Sequence, residues 1–393
     1  MLVSNGRGRA LGADEQARAA MGAGVRVIDC QRLPLLPAFV DSHCHVMAYA
    51  SSLTAVDCRP SAVSSIAGIK DAIRRRAAST PEGRWVRAAG YDDFALAEKR
   101  HPTRWDLDEA APRNPVRLTH RSGHAMVLNS PALNAVGISD ATDEPPGGTI
   151  DRGPLSGEPS GLLLEMDEYV RDRMPRLTEE ELRSAMRLAG DKFLSYGITA
   201  VCDASPANTP QRFETFKKMR QSGHFLPRVT MMAGAKYLDQ FVDEGLGTGA
   251  GSELCSVGHA KIMLTLSSGR LSPSENELSE LIGKAHSQQF AVAIHAVEAE
   301  ALEAAVNALE SATPLTTRTR TDRIEHCSEC PDALLPRIAR LGVTVVTNPG
   351  FLYLSGDRYL AETKKDRVPW LYRMRSLIEA GIPVAAGSDA PVT

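Results

Sequence analysis

The chain has 393 residues, enough for one large α/β domain with an appendage or for two domains. Its 45 Lys and Arg nearly balance 48 Asp and Glu, and a formal charge of −3 argues against nucleic acid or an anionic membrane surface as partner. Seven dispersed cysteines do not make a secreted disulfide framework, the N-terminus lacks an apolar signal core, and no apolar run could span a bilayer, so a soluble cytoplasmic protein is expected.

Residues 1–37 are rich in small side chains and too few to fold alone. A strand is expected at Val25–Asp29, followed by the proline-punctuated Leu33-Pro-Leu-Leu-Pro37. Next comes an apolar run that ends in two histidines, Leu36-Pro-Ala-Phe-Val-Asp-Ser-His43-Cys-His45. On a strand, alternate side chains share a face, so His43 and His45 point one way and Cys44 the other. Two imidazoles side by side suit a metal ion, while two solvated histidines at a strand end are the plainer alternative. A helix is expected over about 64–78, where Ile66, Ile69 and Ile73 recur at helical spacing, and a strand over 85–91. The stretch from about 48 to 177 otherwise reads as loop-rich and without regular alternation, hence as an insertion.

From residue 178 the pattern becomes regular. Thr178-Glu-Glu-Glu181 is a capping box, Leu182, Met186, Ala189 and Phe193 share one face, and Gly197 ends the helix. Apolar strands at 198–202, 228–232, 260–264, 291–295, 323–326, 343–347 and 383–386 then alternate with amphipathic helices. Examples of the helices are 276–285, opened by a second capping box at Ser274 and Glu277, and 331–341, stopped by Gly342. With the strand that carries His43 there are eight. Near-continuous apolar strands separated by helices imply a parallel sheet covered on both faces, and eight units favour a (β/α)8 TIM-type barrel. No Gly-x-Gly-x-x-Gly opens a helix, which weighs against a dinucleotide site. Cys327-Ser-Glu-Cys330 has no second pair to complete a zinc ribbon and reads as the lead-in to the 331–341 helix.

In such a barrel, catalytic groups sit at the C-terminal strand ends. There the sequence places His43 and His45 on the first strand, Lys261 on the fourth, His295 on the fifth, His326 on the sixth and Asp389 after the eighth. Four imidazoles and a carboxylate are a borderline-soft ligand set suited to zinc, with manganese, iron or cobalt as alternatives. An ammonium is costly to bury within an apolar strand. Either Lys261 pairs with a carboxylate, or burial and nearby cations lower its pKa until the amine reacts with carbon dioxide, giving a carbamate able to bridge two metals.

The run from Leu36 to His45, with Lys261, His295, His326 and Gly387-Ser-Asp389-Ala-Pro, resembles the amidohydrolase superfamily over roughly residues 24–393. His101-Pro-Thr-Arg-Trp-Asp-Leu-Asp, Gly123-His-Ala with Asn129-Ser130, and Pro159-Ser-Gly-Leu-Leu-Leu-Glu165 are similar to its YtcJ-like (amidohydrolase 3) branch. The resemblance implies a metal-dependent hydrolase with a distorted barrel beside a small β-sandwich, of which residues 1–37 would be the N-terminal part and 38–393 the barrel. It also implies that His43, His45 and Asp389 hold a first divalent metal and that His295 and His326 hold a second, with a carboxylated Lys261 between them. One ion or two would be bound. Asp389 would take a proton from the activated water and pass it to the leaving nitrogen, which makes it the leading catalytic residue. His124 and Arg270, the latter in Ser267-Ser-Gly-Arg270, are candidates for substrate contact at the barrel mouth, with Glu165 and Tyr91 behind them. His259 is expected to be a hydrogen-bonded core histidine.

The expected activity is hydrolysis of a non-peptide C–N bond of amide type, in an N-acyl or N-formyl group. Deamination or ring opening of a nitrogen heterocycle is one alternative, and an inactive metal-binding fragment another. The expected partner is a small-molecule substrate, and a homo-oligomer is left open. Ala38 departs from the glycine usual in the family at that point. In relatives a last barrel helix and the closing sandwich strands follow Asp389, whereas this sequence stops at Thr393, so a C-terminal truncation is expected.

Overall fold

The computed structural model describes the chain except residues 5, 6, 20, 22, 23, 32, 267, 268, 313–320 and 393. Two compact units are present, Met1–Ala38 and Phe39–Thr393. The first contains an antiparallel pair, Leu2–Ser4 with Arg7–Ala10, and a short helix, Asp14–Ala19. The strand expected at Val25–Asp29 does not form; those residues belong to no regular element, and Val27 and Ile28 are exposed. A β-prone run without a neighbouring strand has no ladder to satisfy its backbone groups.

The second unit is built on eight strands: β1 (Phe39–Cys44), β2 (Ile198–Asp203), β3 (Arg228–Gly234), β4 (Cys255–Met263), β5 (Val292–Ala296), β6 (Arg323–His326), β7 (Thr344–Thr347) and β8 (Val384–Ala386). They lie side by side in chain order, each parallel to the next. The two edges of this sheet approach each other just beyond β8, where the Ser388 amide donates to the Asp41 carboxylate at 2.9 Å. Gly387 occupies the crossing; a Cβ there would stand 2.6 Å from His43 Cβ and 2.8 Å from its nitrogen. The result is a nearly closed TIM-like α/β barrel.

Helices cover the outside. Helix α1 (Glu179–Ser195) is opened by the Thr178–Glu181 capping box and buries Ala185, Met186, Ala189 and Phe193. Helix α2 (Glu275–Ser287) carries the Ser274–Glu277 box and buries Leu278 and Ile282. Phe213, Phe216, Phe225 and Phe241 are wholly buried in the same core, where each contributes roughly 1.5–3 kcal/mol by leaving water. The stop at Gly342 is made by its left-handed backbone, φ 65°, a conformation glycine adopts without strain.

Between β1 and α1 the structure corrects the loop-rich reading. After the helix Val46–Thr54, six strands form a second sheet in the spatial order Val56–Asp57, Val86–Tyr91, Val116–His120, Ala125–Leu128, Pro159–Leu164, Thr149–Arg152. The first three are parallel and the remaining pairings antiparallel. Ile69 and Ile73 of the helix Ile66–Ala78 pack with Leu107 and Leu118 in a core of its own. Asn129, wholly buried, accepts from the amide of Val116 at 2.8 Å and of Ala132 at 3.1 Å, tying a strand to the start of the helix Ser130–Ala135. Short strands that change from parallel to antiparallel pairing leave no single period in the sequence.

Candidate metal centre

Strand β1 turns Asp41 and His43 to the interior, and both are buried. Asp41 accepts hydrogen bonds from the Ser388 hydroxyl at 2.6 Å and the His43 amide at 3.3 Å, so it fastens β1 to the segment after β8. Burial raises its pKa, with those hydrogen bonds opposing.

The tautomer of His43 is set from β6. Its Nδ1 meets the carboxylate of Glu325, a residue with no exposed surface. Arg323, two residues earlier and on the same face, donates to Glu325 from Nε at 2.7 Å and to the Ser42 carbonyl at 2.9 Å. Burial works against the Glu325 carboxylate, but Arg323 and His43 hold it well below the usual range. With Nδ1–H given to Glu325, the Nε2 lone pair of His43 is presented to the interior, 3.5 Å from Asp389 Oδ1.

His45 is held in the same way. Its Nδ1 lies 3.2 Å from Ser205 Oγ, and its Nε2 lies 3.1 Å from Asp389 Oδ1. Ligand atoms of His43, His45 and Asp389 thus all fall within 4.8 Å of one another. His43 Nε2 and Asp389 Oδ1 are buried without a hydrogen-bond partner. Two imidazole nitrogens and a carboxylate oxygen, convergent and two of the three without a hydrogen-bond partner, fit a divalent metal in both chemistry and spacing. Asp389 itself has φ 60°, and His326 has φ 68°; backbone in that region tends to gather at functional sites.

The remaining predicted ligands crowd the same face. The His326 ring centroid is 4.7 Å from that of His43 and 4.5 Å from that of His295. Asn348 at the end of β7 receives His326 Nδ1 at 2.8 Å and donates to the Gly387 carbonyl at 2.9 Å. Burial, reinforced by neighbouring positive groups, pushes the His43 imidazole down to about 4 and that of His326 down to about 3. His295 is lowered for the same reasons. These rings are therefore neutral, the form that binds metals. Lys261 is 1% exposed, and its Nζ has no hydrogen-bond partner. Burial lowers its pKa, with Glu325 and Asp389 pulling the other way. For Asp389, burial alone would raise the pKa; the close approach of the His45, His326 and His43 imidazoles outweighs it and keeps the carboxyl ionised.

His124 and Glu165 flank strands of the second sheet, and His124 reaches the barrel's His295. His124 Nδ1 is 3.1 Å from Glu165 Oε2, and its ring lies 6.2 Å from that of His295. Arg270 stands exposed on the loop after β4 and takes no part in the hydrogen bonds just described. Tyr91 is buried within the second sheet, where its hydroxyl meets His101 Nδ1 at 2.9 Å. His259 is buried, with Nε2 3.1 Å from the Thr321 carbonyl, a core histidine as expected. Sequence reasoning passed over Glu325, Arg323, Asn348 and Ser205. The signal for the first two was present: Arg323-Ile-Glu325-His326 sets two opposite charges on one face of a strand that is buried on both sides.

The sequence model of the amidohydrolase family matches residues 26–393. The chain is similar to the N-substituted formamide deformylase of Arthrobacter pascens, 28% identical over 424 aligned positions that cover 100% of this chain and 77% of that protein. It is also similar to the putative amidohydrolase YtcJ of Bacillus subtilis, at 27% identity covering 91% of this chain and 70% of YtcJ. Among solved structures, an uncharacterized metal-dependent hydrolase from Pyrococcus horikoshii OT3 superposes with a TM-score of 0.68 at 24% identity, over 91% of this chain and 71% of that one.

Proposed function

The chain belongs to the amidohydrolase family, and from that premise we propose that it hydrolyses a non-peptide C–N bond of amide type in a small molecule. An N-formyl or N-acyl group on an amine is the substrate class. The observation that carries this reading is the convergence of His43 Nε2, His45 Nε2 and Asp389 Oδ1, two of them buried without a partner. The likeness to a protein named for removing the formyl group of N-substituted formamides supports the choice of bond.

In this reading His43, His45 and Asp389 hold a first divalent metal, zinc by donor type. His295, His326 and a carboxylated Lys261 hold a second. A metal held there would supply Lewis acidity to the scissile carbonyl and make the attacking water easier to deprotonate. Asp389, ionised, accepts the proton of the attacking water and returns it to the leaving nitrogen, so one carboxylate serves as base and then as acid. Glu325 and Ser205 keep the two imidazoles turned with Nε2 inward. His124, paired with Glu165, contacts the substrate beside His295, and Arg270 is the remaining candidate for an anionic substrate group. The second sheet is an insertion between β1 and β2, the N-terminal unit is part of a small sandwich, and the protein works in the cytoplasm.

The test is purification without chelators, metal analysis, and turnover of a panel of N-substituted formamides and N-acyl amines read by release of formate or carboxylate. Transition metal in the protein and hydrolysis of at least one panel member are expected. A chain that carries no metal, or that with its metal intact hydrolyses none of them, would overturn the reading.

A further inference from the structure

A second set of metal-type donors lies in the other sheet, at the C-terminal ends of Val86–Tyr91 and Val116–His120. Ligand atoms of Asp92, Asp93 and His120 fall within 4.8 Å of one another. The His120 side chain is 5% exposed, and its Nε2 has no hydrogen-bond partner although Asp93 Oδ1 is only 3.1 Å away. The carboxylate is close but off the line along which an N–H would donate. Off-line proximity is the relation of two ligands on one ion: bonds of about 2.0–2.1 Å with this N···O separation enclose an angle of about 100° at the metal.

The supporting contacts repeat the logic of the barrel cluster. There, His45 is steadied at Nδ1 by a serine hydroxyl and offers Nε2 to a carboxylate. Here, His120 Nδ1 lies 2.8 Å from Ser122 Oγ, with Nε2 turned to Asp93. On the far side of Asp93, His101 is held at Nδ1 by Tyr91 and sets its own Nε2 3.8 Å from Asp93 Oδ2. Arg121 at 3.2 Å and Arg358 at 3.8 Å flank Asp92 and balance its charge, so the carboxylates together do not form an uncompensated anionic patch.

We propose that His120, Asp93 and Asp92 bind a divalent metal of the zinc class, outside the barrel, with His101 orienting Asp93. The inference is independent of the hydrolytic reading. Such an ion has a structural part to play. Arg121 also donates to Ser355 at 2.7 Å, and Arg358 belongs to the same helix, Pro349–Glu362, which follows β7. An ion that fixes Asp92 would therefore fix the second sheet against the helix that leaves the barrel mouth.

The rival arrangement is specific. The Ser122 amide approaches His120 Nδ1 at 3.2 Å; if that contact sets the tautomer, Nε2 carries a proton, and the group is a proton-bridged His–Asp pair with no place for an ion. The experiment is metal analysis of the full chain loaded with zinc and dialysed without chelator, in four forms: the parent, His120→Ala, His43→Ala/His45→Ala, and that double variant with His120→Ala added. We expect His120→Ala to carry one metal ion fewer per chain than the parent, and adding His120→Ala to the barrel double variant to remove one more. An unchanged metal count on His120→Ala in both backgrounds overturns the proposal. Should His120→Ala fail to fold, cobalt titration of the barrel double variant decides, compared with the same variant carrying Asp93→Asn. Ligand-field absorption that Asp93→Asn abolishes supports the site, and absorption indifferent to Asp93→Asn refutes it.

Discussion

The amide of Asp389 donates to the carbonyl of His43 at 2.7 Å. One residue lies just past the last barrel strand and the other in the first, so a single hydrogen bond both joins the edges of the sheet and sets a carboxylate beside an imidazole. The seam of the barrel and the candidate metal centre thus share this contact, and substitutions at the seam report on both.

Gly387→Ala tests that coupling. A Cβ at 387 meets His43 at 2.6 and 2.8 Å, and the obstructing atoms are backbone and Cβ, which cannot swing aside. The seam must open, with a loss of about 1–3 kcal/mol. Denaturant melts of the metal-free protein should show it, together with weaker zinc retention. An unaltered midpoint would mean that the edges are not held together in solution.

Glu325→Gln keeps the shape and removes the charge that fixes the His43 tautomer. Metal affinity should fall about 10–100-fold, read by competition with a chromogenic chelator, while the fold persists. Glu325→Ala is predicted to be worse, because Arg323 would be left buried without its carboxylate, at about 3–5 kcal/mol.

Asp389→Asn separates proton transfer from metal binding. With His43 and His45 intact, much of the metal should remain, while turnover on the preferred formamide or N-acyl amine falls by about 10²–10⁴. Steady-state rates set beside metal content per chain check this. Full activity at full metal content would remove Asp389 from the reaction.

The His124–Glu165 pair carries a pH signature. The Glu165 hydrogen bond raises the His124 pKa above 6.5, against the opposing effect of burial. A raised histidine adds stability that is present in full below the unfolded value and is lost as pH rises through the folded one. The His124 side chain is 44% exposed, so the contribution should stay under about 1 kcal/mol. Melts of the parent and of Glu165→Gln should differ most below pH 6.5 and converge at alkaline pH, and the His124 ring resonance should titrate at lower pH in the variant. A gap between the two melts that widens with rising pH would contradict the assignment.

The barrel was readable because its strands are buried on both faces and its helices carry explicit caps; Thr178, Ser274 and Gly342 all act as their residue types require. The ligand-type residues were readable because His43, His45, His295, His326 and Asp389 are polar groups at the ends of apolar runs. Glu325 was masked by the histidine beside it, since a charge inside a strand signals only once its partner Arg323 is seen on the same face. The second sheet was hidden for another reason. A strand as short as Val56–Asp57, and the change of direction at Ala125–Leu128, give no periodicity to detect. Val25–Asp29 erred in the opposite sense, because β-prone composition does not provide a neighbour.

His124 and Glu165 are joined by the Glu165 amide, which donates to the His124 carbonyl at 2.8 Å. Both flank strands whose hydrophobic clusters are separate from that of the barrel. The residues that would greet an incoming molecule are therefore founded on a different core from those that would cut it. Selection can redraw the former without loosening the latter, so descendants of one hydrolytic engine can diverge in diet while their chemistry stays put.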